Sequence, residues 1–151
     1  MFAGVSGMSD KWDKRFLTLA DHVAQWSRDP STKVGAVIVG ASKRQVCFGF
    51  NGFPPGIADT DARLNDRETK YRLVMHAERN ALDNCHFDTR GATLFVTRCP
   101  CSECTKSIIS KGITRVVFQP HPDFDQRWES ELKWTRTMLM EVGVPLLPLE
   151  I

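Results

Sequence analysis

The sequence predicts one α/β domain in which helices cover both faces of a largely parallel sheet. Short apolar runs rich in β-branched residues alternate along the chain with longer segments of helical period, the order typical of α/β folds. The chain has 151 residues, 42% apolar and 25% charged, which allows one sizeable core. We expect residues 9–151 to form this domain and residues 1–8, a Gly/Ser-rich segment, to be a flexible extension.

The first third of the chain predicts a helix followed by two strands. A helix is expected over residues 11–26, ending at a proline turn. The runs Val34–Val39 and Gln45–Asn51 read as strands, and the short polar segment between them allows an antiparallel hairpin. The helix should present one apolar face, formed by Trp12, Phe16, Leu19, Ala20 and Val23.

The segment Gly52–Lys70 is rich in Gly and Pro at its start and then polar and charged, with no sustained period. A long loop in a compact domain is usually functional or mobile. We therefore expect a loop here that binds or gates something.

The remainder of the chain alternates helices and strands again. Helices are expected at Met75–Asn84, from Cys101 to about Ser110 and near Trp128–Val142, and strands at Thr93–Thr97, Arg115–Phe118 and Leu146–Leu149.

Charge and hydropathy argue against two classes of partner. A formal net charge of +2 and a pI near 8.3 are too mild for a dedicated nucleic-acid binder, so no nucleic-acid partner is expected. No apolar run approaches the roughly 20 residues needed to cross a bilayer, so no membrane partner is expected either. The start of the sequence lacks the pattern of a signal peptide, and we expect a cytoplasmic protein.

The chain has five cysteines, three of them in the short stretch "TRCPCSECTK". In a reducing compartment, clustered thiols bind metal or do chemistry more often than they form disulfides. We expect Cys47 and Cys85, which have apolar neighbours, to be buried packing thiols, and Cys99 to pack as well. Cys101 and Cys104 begin a predicted helix, whose N-terminus favours thiolates. Taken alone, this pair fits a thioredoxin-like redox site as well as half of a metal site.

The stretch "HAERN" favours the metal site. It places His76 and Glu78 at the start of another predicted helix, so that two helix tips together offer one imidazole and two sulfurs. Three protein ligands with a fourth position open for water are typical of catalytic zinc, whereas Cys99 as a fourth ligand would make a structural site. Glu78 can then take and return the proton of the water. The combination H-x-E and P-C-x-x-C is the signature of zinc deaminases.

The sequence between Lys11 and Val144 resembles the deoxycytidylate deaminase family. The resemblance rests on "RDPSTKVGAVIV", "GFNGFPPG", "TKYRLVMHAERNAL", "GATLFVT", "PCSECTKSIISKGITRVVF" and "MEVGV". It implies a three-layer α/β/α cytidine deaminase-like fold with a central mixed five-stranded sheet. It also implies conversion of dCMP and water to dUMP and ammonia, on the route to dTTP. One catalytic Zn²⁺ per subunit would be held by His76, Cys101 and Cys104, with Glu78 shuttling protons.

The resemblance implies further contacts with the substrate. The backbone N–H of Ala77 would hold the pyrimidine O2, and Asn51 would contact the sugar. His121 and Arg90 are candidates for the phosphate, whose binding residues the resemblance leaves unassigned. The chain also departs from its relatives at Arg98-Cys99, where many of them have an apolar residue.

The resemblance also implies regulation. Gly52 and Gly56 match a loop associated with activation by dCTP and inhibition by dTTP, with Mg²⁺ accompanying the triphosphate effector. A homo-oligomer, commonly a hexamer, is expected.

Two other functions remain open at this point. One is a deaminase of nucleic-acid bases, acting on tRNA adenosine or single-stranded DNA cytosine. The other is a catalytically silent, zinc-stabilised interaction module.

Overall fold

The computed structural model describes residues 10–151; the expected flexible extension, residues 1–8, lies outside them. The helices are α1 Asp10–Ala24, α2 Asp61–Asn65, α3 Arg67–Leu73, α4 Ala77–Asp83, α5 Ser102–Ser110, α6 Pro122–Arg127 and α7 Glu129–Glu141. The strands are β1 Gly35–Val39, β2 Val46–Phe50, β3 Thr93–Val96, β4 Arg115–Phe118 and β5 Leu146–Pro148.

The five strands form one mixed sheet in the order β2-β1-β3-β4-β5. β1 pairs antiparallel with β2, as the predicted hairpin requires, and with β3 as well. The pairs β3–β4 and β4–β5 are parallel. The expectation of a largely parallel sheet is therefore wrong for the β2-β1-β3 half, because the hairpin reverses β1, and the mixed sheet implied by the family resemblance is confirmed.

The sheet is covered by helices on both faces. Alternate residues of a strand point to opposite faces: in β1, Val37 and Val39 pack in a core with Leu17 of α1, whereas Ala36 and Ile38 pack in a core with α4, α5 and α7. All five residues of β1 are buried. Burial on both faces explains why this strand reads as a continuous apolar run rather than an alternating one.

The buried face of α1 differs from the predicted one. Ala20 and Val23 are fully buried, as predicted, and so is Leu17, but Trp12 and Leu19 are 48% and 37% exposed. The face includes Asp13, which is only 5% exposed and is therefore invisible to a search for apolar period.

The burial of Asp13 is explained by an ion pair. Its carboxylate accepts two hydrogen bonds from the guanidinium of Arg115 on β4. A buried charge is tolerated where it is paired and hydrogen-bonded.

The predicted loop Gly52–Lys70 contains helix α2 and the start of α3, so the expectation of no regular structure there is wrong. Both helices are short, and their buried side chains are restricted to Leu64 of α2, so they leave no amphipathic period to detect. α2 is stabilised instead by Thr60, whose side chain accepts a hydrogen bond from the backbone N–H of Arg63 at 3.3 Å. The short helix α6 was missed for a similar reason, since none of its residues is buried.

Cys47 on β2 and Cys85 after α4 form a disulfide, which corrects the prediction that they are separate packing thiols. The two positions are 38 residues apart in sequence, but α4 packs against β2 and brings their Cα atoms to 5.6 Å. This separation lies within the range that a disulfide spans.

Among the helices of residues 10–151, none has the length and apolar character required to cross a membrane.

Candidate active site

The N-terminus of α4 presents His76, Ala77 and Glu78. His76 is the N-cap, and the other two residues begin the helix. The backbone before the helix is held by Met75, whose N–H and C=O bond to the C=O and N–H of Gly52 at 2.8 and 3.1 Å. The bridge fixes the direction from which the chain enters α4.

Helix α4 lies directly on strand β2. The side-chain amide of Asn80 donates to the carbonyl of Phe50 at 2.7 Å. At Gly49 the helix approaches so closely that an added Cβ would lie 2.4 Å from the backbone nitrogen of Ala81. A glycine in β2 therefore allows the close contact that positions His76 and Glu78.

The N-terminus of α5 presents Cys101 and Cys104, as predicted. Cys101 is the N-cap, and its sulfur accepts a hydrogen bond from the backbone N–H of Cys104 at 3.5 Å. The next residue, Ser102, donates from its backbone N–H and its hydroxyl to Glu131 Oε1 of α7, at 2.9 and 2.5 Å. Helix α7 thus fixes the first turn of α5.

The two helix starts meet at His76. Its Nδ1 lies 3.5 Å from Cys101 Sγ and 3.4 Å from Cys104 Sγ, and the three donor atoms all lie within 4.8 Å of one another. Zinc bonds of about 2.3 Å to sulfur and about 2.0 Å to nitrogen at tetrahedral angles place such atoms about 3.6 Å apart. One imidazole and two thiols at this spacing fit zinc.

The three donor residues differ in the pKa values of their side chains. The pKa of Cys101 is lowered to about 4, first because the Cys104 thiol donates a hydrogen bond to it; the same bond raises the pKa of Cys104. The pKa of His76 is raised to about 9, first by its hydrogen bond with Cys101. One sulfur is therefore a thiolate, ready to ligate a cation.

Glu78 is buried, with 5% of its surface exposed. Burial raises its pKa to about 7, although the positive charge of His76 opposes the shift. Near neutral pH this carboxyl group can both accept and donate a proton.

Cys99 is outside the donor group. It is a free thiol, 9% exposed, and burial is the first cause that raises its pKa to about 12. Within residues 10–151, the group able to hold a metal consists of His76, Cys101 and Cys104. The prediction that Cys99 packs is confirmed.

A cavity of about 640 Å³ opens in front of the two helix starts. This volume lies within the range of small-molecule binding sites. The cavity is lined by His76, Cys101 and Glu78, by the loop before β1, and by residues of α3, α6 and α7. The lining residues used below are Asp29, Thr32, Asn51, Arg67, Lys70, Ala77, Arg98, Glu103, Phe124, Arg127 and Glu131.

Asn51 lies at the cavity, as expected, but its side chain also organises the loop before β1. Its Oδ1 accepts from the backbone N–H of Val34 at 2.8 Å, and its amide donates to the carbonyl of Thr32 at 2.9 Å and to Asp29 at 3.4 Å. Both amide hydrogens are therefore used within the protein.

His121 is not brought to this cavity. Its Nε2 lies 2.9 Å from the carbonyl oxygen of Thr97, to which it donates, and its backbone N–H donates to Asp125 Oδ2 at 3.0 Å. The residue thus joins the end of β3 to the start of α6.

The two glycines of the predicted effector loop do not line the cavity beside the metal-binding group. Gly52 lines a separate cavity of about 70 Å³, together with Arg28, Phe53 and Asp59. Gly56 has a φ of +89°, a conformation that favours glycine.

The sequence did not reveal the ion pair between the buried Asp29 and the half-buried Lys70. Lys70 Nζ lies 3.1 Å from Asp29 Oδ1, and the same oxygen accepts from the backbone N–H groups of Ser31 and Thr32 at 2.8 and 3.1 Å. The available signal was the "RDPST" motif, in which an aspartate precedes a proline turn. Its partner is 41 residues away and could not be identified from spacing.

Comparisons with known proteins agree with this geometry. Residues 10–119 match the model of the cytidine and deoxycytidylate deaminase zinc-binding region. A relative from Aliivibrio fischeri, named an uncharacterized deaminase in the luxG 3′ region, is 42% identical over 147 residues, which are 95% of this chain and 99% of that protein. Human deoxycytidylate deaminase is 40% identical over 114 residues, 72% of this chain and 64% of the human protein, so the chain spans less than two thirds of that relative.

The fold is shared with a solved structure. The crystal structure of dCMP deaminase from the cyanophage S-TIM5 in complex with dCMP and dUMP matches with a TM-score of 0.75 and 25% identity, covering 94% of this chain and 99% of that one. The predicted fold class and family are confirmed. The chain therefore belongs to the cytidine and deoxycytidylate deaminase family and is a hydrolytic deaminase, acting on a C–N bond of a cyclic amidine.

Proposed function

We propose that this enzyme converts dCMP and water to dUMP and ammonia. The observation that carries the proposal is a buried carboxylate, Glu78, beside a three-donor metal group at a cavity large enough for a nucleotide. The names of the relatives support dCMP as the substrate: the human protein is a deoxycytidylate deaminase, and the cyanophage enzyme was crystallised with dCMP and dUMP.

His76, Cys101 and Cys104 would bind the zinc ion, through Nδ1 and the two sulfurs. When bound, zinc supplies a positive charge and lowers the pKa of a water molecule toward about 7. The two helix N-termini add positive partial charge around the thiolates.

Glu78 would move the protons of the reaction. Deamination breaks the C4–N bond of cytosine and forms a C4–O bond, while the two protons of water go to ring N3 and to the leaving amine. A carboxyl group with a pKa of about 7 can take each proton and pass it on near neutral pH. The burial of Glu78 excludes bulk water from this exchange.

Ala77 and Asn51 would orient the substrate. The N–H of Ala77, at the first position of α4, has no acceptor within the helix and can donate to the pyrimidine O2. Because both amide hydrogens of Asn51 are used within the protein, its contact with the sugar would use Oδ1 as the acceptor of a hydroxyl.

Several finer features stay predictions of the family resemblance. They are activation by dCTP and inhibition by dTTP through the loop of Gly52 and Gly56, Mg²⁺ with the effector, a hexamer and the supply of the dTTP precursor. A cytoplasmic location stays a prediction from the sequence pattern. His121 as a phosphate ligand also stays a prediction, although its imidazole is hydrogen-bonded to Thr97.

A turnover panel tests the proposed function. Zinc-loaded protein is given dCMP, deoxycytidine, CMP, 5-substituted dCMP, single-stranded DNA and tRNA, with and without dCTP and dTTP, and ammonia is measured. We expect the highest kcat/KM with dCMP. Ammonia from single-stranded DNA or tRNA but none from dCMP would favour a nucleic-acid base deaminase, and no ammonia from any substrate would favour a silent module.

A further inference from the structure

Two arginines line the cavity on the side of the parallel strands. Arg98 follows the carboxyl end of β3, and Arg127 ends α6, which follows the neighbouring strand β4. Ligands of open α/β sheets bind outside the carboxyl ends of the strands. Arg98 also lies three residues before Cys101, so its Cα is within about 11 Å of the Cα of that metal-donor residue.

Both guanidinium groups lie near the ring of Phe124. The Arg98 Cζ is 4.5 Å from the ring centroid and the Arg127 Cζ is 5.8 Å from it. Within residues 10–151, neither guanidinium has a hydrogen-bond acceptor or a carboxylate within 4.0 Å; Asp125 attracts Arg98 only at longer range. Contact with the ring holds these side chains in place and leaves their N–H donors available.

Apart from the metal-donor residues and Glu78, the other charged groups that line the cavity have polar partners. These are Asp29 with Lys70, Glu103 with Lys106, Glu131 with Ser102, and Arg67 with the hydroxyl of Tyr71. Of the three arginines that line the cavity, Arg67 donates to the hydroxyl of Tyr71, whereas Arg98 and Arg127 have no hydrogen-bond acceptor among residues 10–151.

The surroundings of Arg98 disfavour its charge. Burial lowers its pKa, and the nearby Arg127 lowers it further, against the attraction of Asp125. A dianion placed between the two arginines would relieve this repulsion and accept their forked N–H donors.

We propose that Arg98, with Arg127 beside it, binds the 5′-phosphate of the nucleotide substrate. The inference rests on the proposed function, in which the base lies at the metal group. It also gives a role to Arg98 itself, which stands where many relatives carry an apolar residue. Arg98 would thereby make the enzyme prefer a monophosphate over a nucleoside.

The test compares ligands that differ only in the phosphate. Calorimetry measures the Kd of dUMP and of deoxyuridine for zinc-loaded wild type, Arg98→Gln, Arg98→Lys and Arg127→Gln, and turnover of dCMP and deoxycytidine is measured alongside. We expect Arg98→Gln to weaken the binding of dUMP about tenfold to a hundredfold and to leave the binding of deoxyuridine unchanged. Arg98→Lys should lose less affinity for dUMP, because lysine keeps the positive charge but not the forked N–H donors of the guanidinium.

Two further variants make the test specific. Arg72→Gln removes an exposed arginine of α3 that does not line the cavity, and it should bind both ligands as the wild type does. Arg67→Gln removes the competing arginine of the cavity. The proposal would be overturned if Arg67→Gln, and not Arg98→Gln, weakened the binding of dUMP alone. It would also be overturned if Arg98→Gln weakened the binding of dUMP and of deoxyuridine equally.

The same measurements distinguish an error in the proposed function from an error in the phosphate assignment. The first case is a protein without dCMP deaminase activity. In that case the wild type turns over neither dCMP nor deoxycytidine and binds neither product, which overturns both proposals. If dCMP is deaminated and Arg98→Gln alters nothing, only the phosphate assignment falls. Circular dichroism checks that each variant is folded, and Arg98→Lys carries the test if Arg98→Gln is not.

Discussion

The Nδ1 atom of His76 lies 3.4 Å from the sulfur of Cys104, although 28 positions separate the two residues in sequence. The contact exists because each residue lies at the start of its own helix, and both helices pack on the same core beside the sheet. The site therefore depends on the relative position of α4 and α5 more than on either helix alone.

Replacement of Cys104 by Ser tests the composition of the metal group. Loss of one thiolate ligand should lower zinc affinity by about a hundredfold or more, as measured by competition with a chromophoric chelator. Cys99→Ser is the matched control, because Cys99 is also a buried free thiol but lies outside the donor group. It should retain about one zinc per chain; a comparable loss in Cys99→Ser would mean that the site is closed by a third sulfur.

Replacement of Gly49 by Ala tests the contact between α4 and β2. The added Cβ would lie 2.4 Å from the backbone nitrogen of Ala81, so β2 and α4 must move apart at a cost of about 1–3 kcal/mol in the free energy of unfolding. Urea denaturation measures this cost. Gly52→Ala, where an added Cβ meets nothing within 4 Å, should change stability much less. Equal stability of the two variants would contradict the close packing at Gly49.

The sequence predicted the elements that carry the chemistry because their local signals are strong. "HAE" and "PCSEC" combine helix starts with metal donors, and those positions hold in the structure at His76 and Cys101, the two N-caps. The strand Val34–Val39 was also predictable, because burial on both faces produces a continuous apolar run.

The remaining features depend on contacts between distant segments. The disulfide of Cys47 and Cys85 requires the packing of α4 on β2. The short helix α2 buries only Leu64 and has no period to detect. The ring contacts of Arg98 and Arg127 require α6 to fold over the end of β3. None of these relationships leaves a signal in local spacing.

Because Glu131 is hydrogen-bonded to Ser102, we expect its contribution to the free energy of unfolding to depend on pH. The hydrogen bonds lower the pKa of Glu131, so the ionised group stabilises the fold at pH above its unfolded value, and this contribution is lost as pH falls through its lower folded value. Glu131→Gln should unfold about 1 kcal/mol more easily than wild type at pH 7, after allowance for solvent screening. The difference should shrink below about pH 4.

Urea denaturation of both proteins between pH 3 and pH 8 measures this contribution. Comparison at each pH cancels contributions from the other titrating groups. A difference that stays constant over the whole range, or that grows as the pH falls, would contradict the role given to the carboxylate.

The most direct test of the account is the Glu78→Gln variant, with zinc content and ammonia release from dCMP measured on the same preparation. Gln has nearly the same size but cannot carry a proton. We predict that the variant binds as much zinc as wild type and releases ammonia about a hundredfold or more slowly. A variant that keeps its zinc and deaminates dCMP at the wild-type rate would contradict the account.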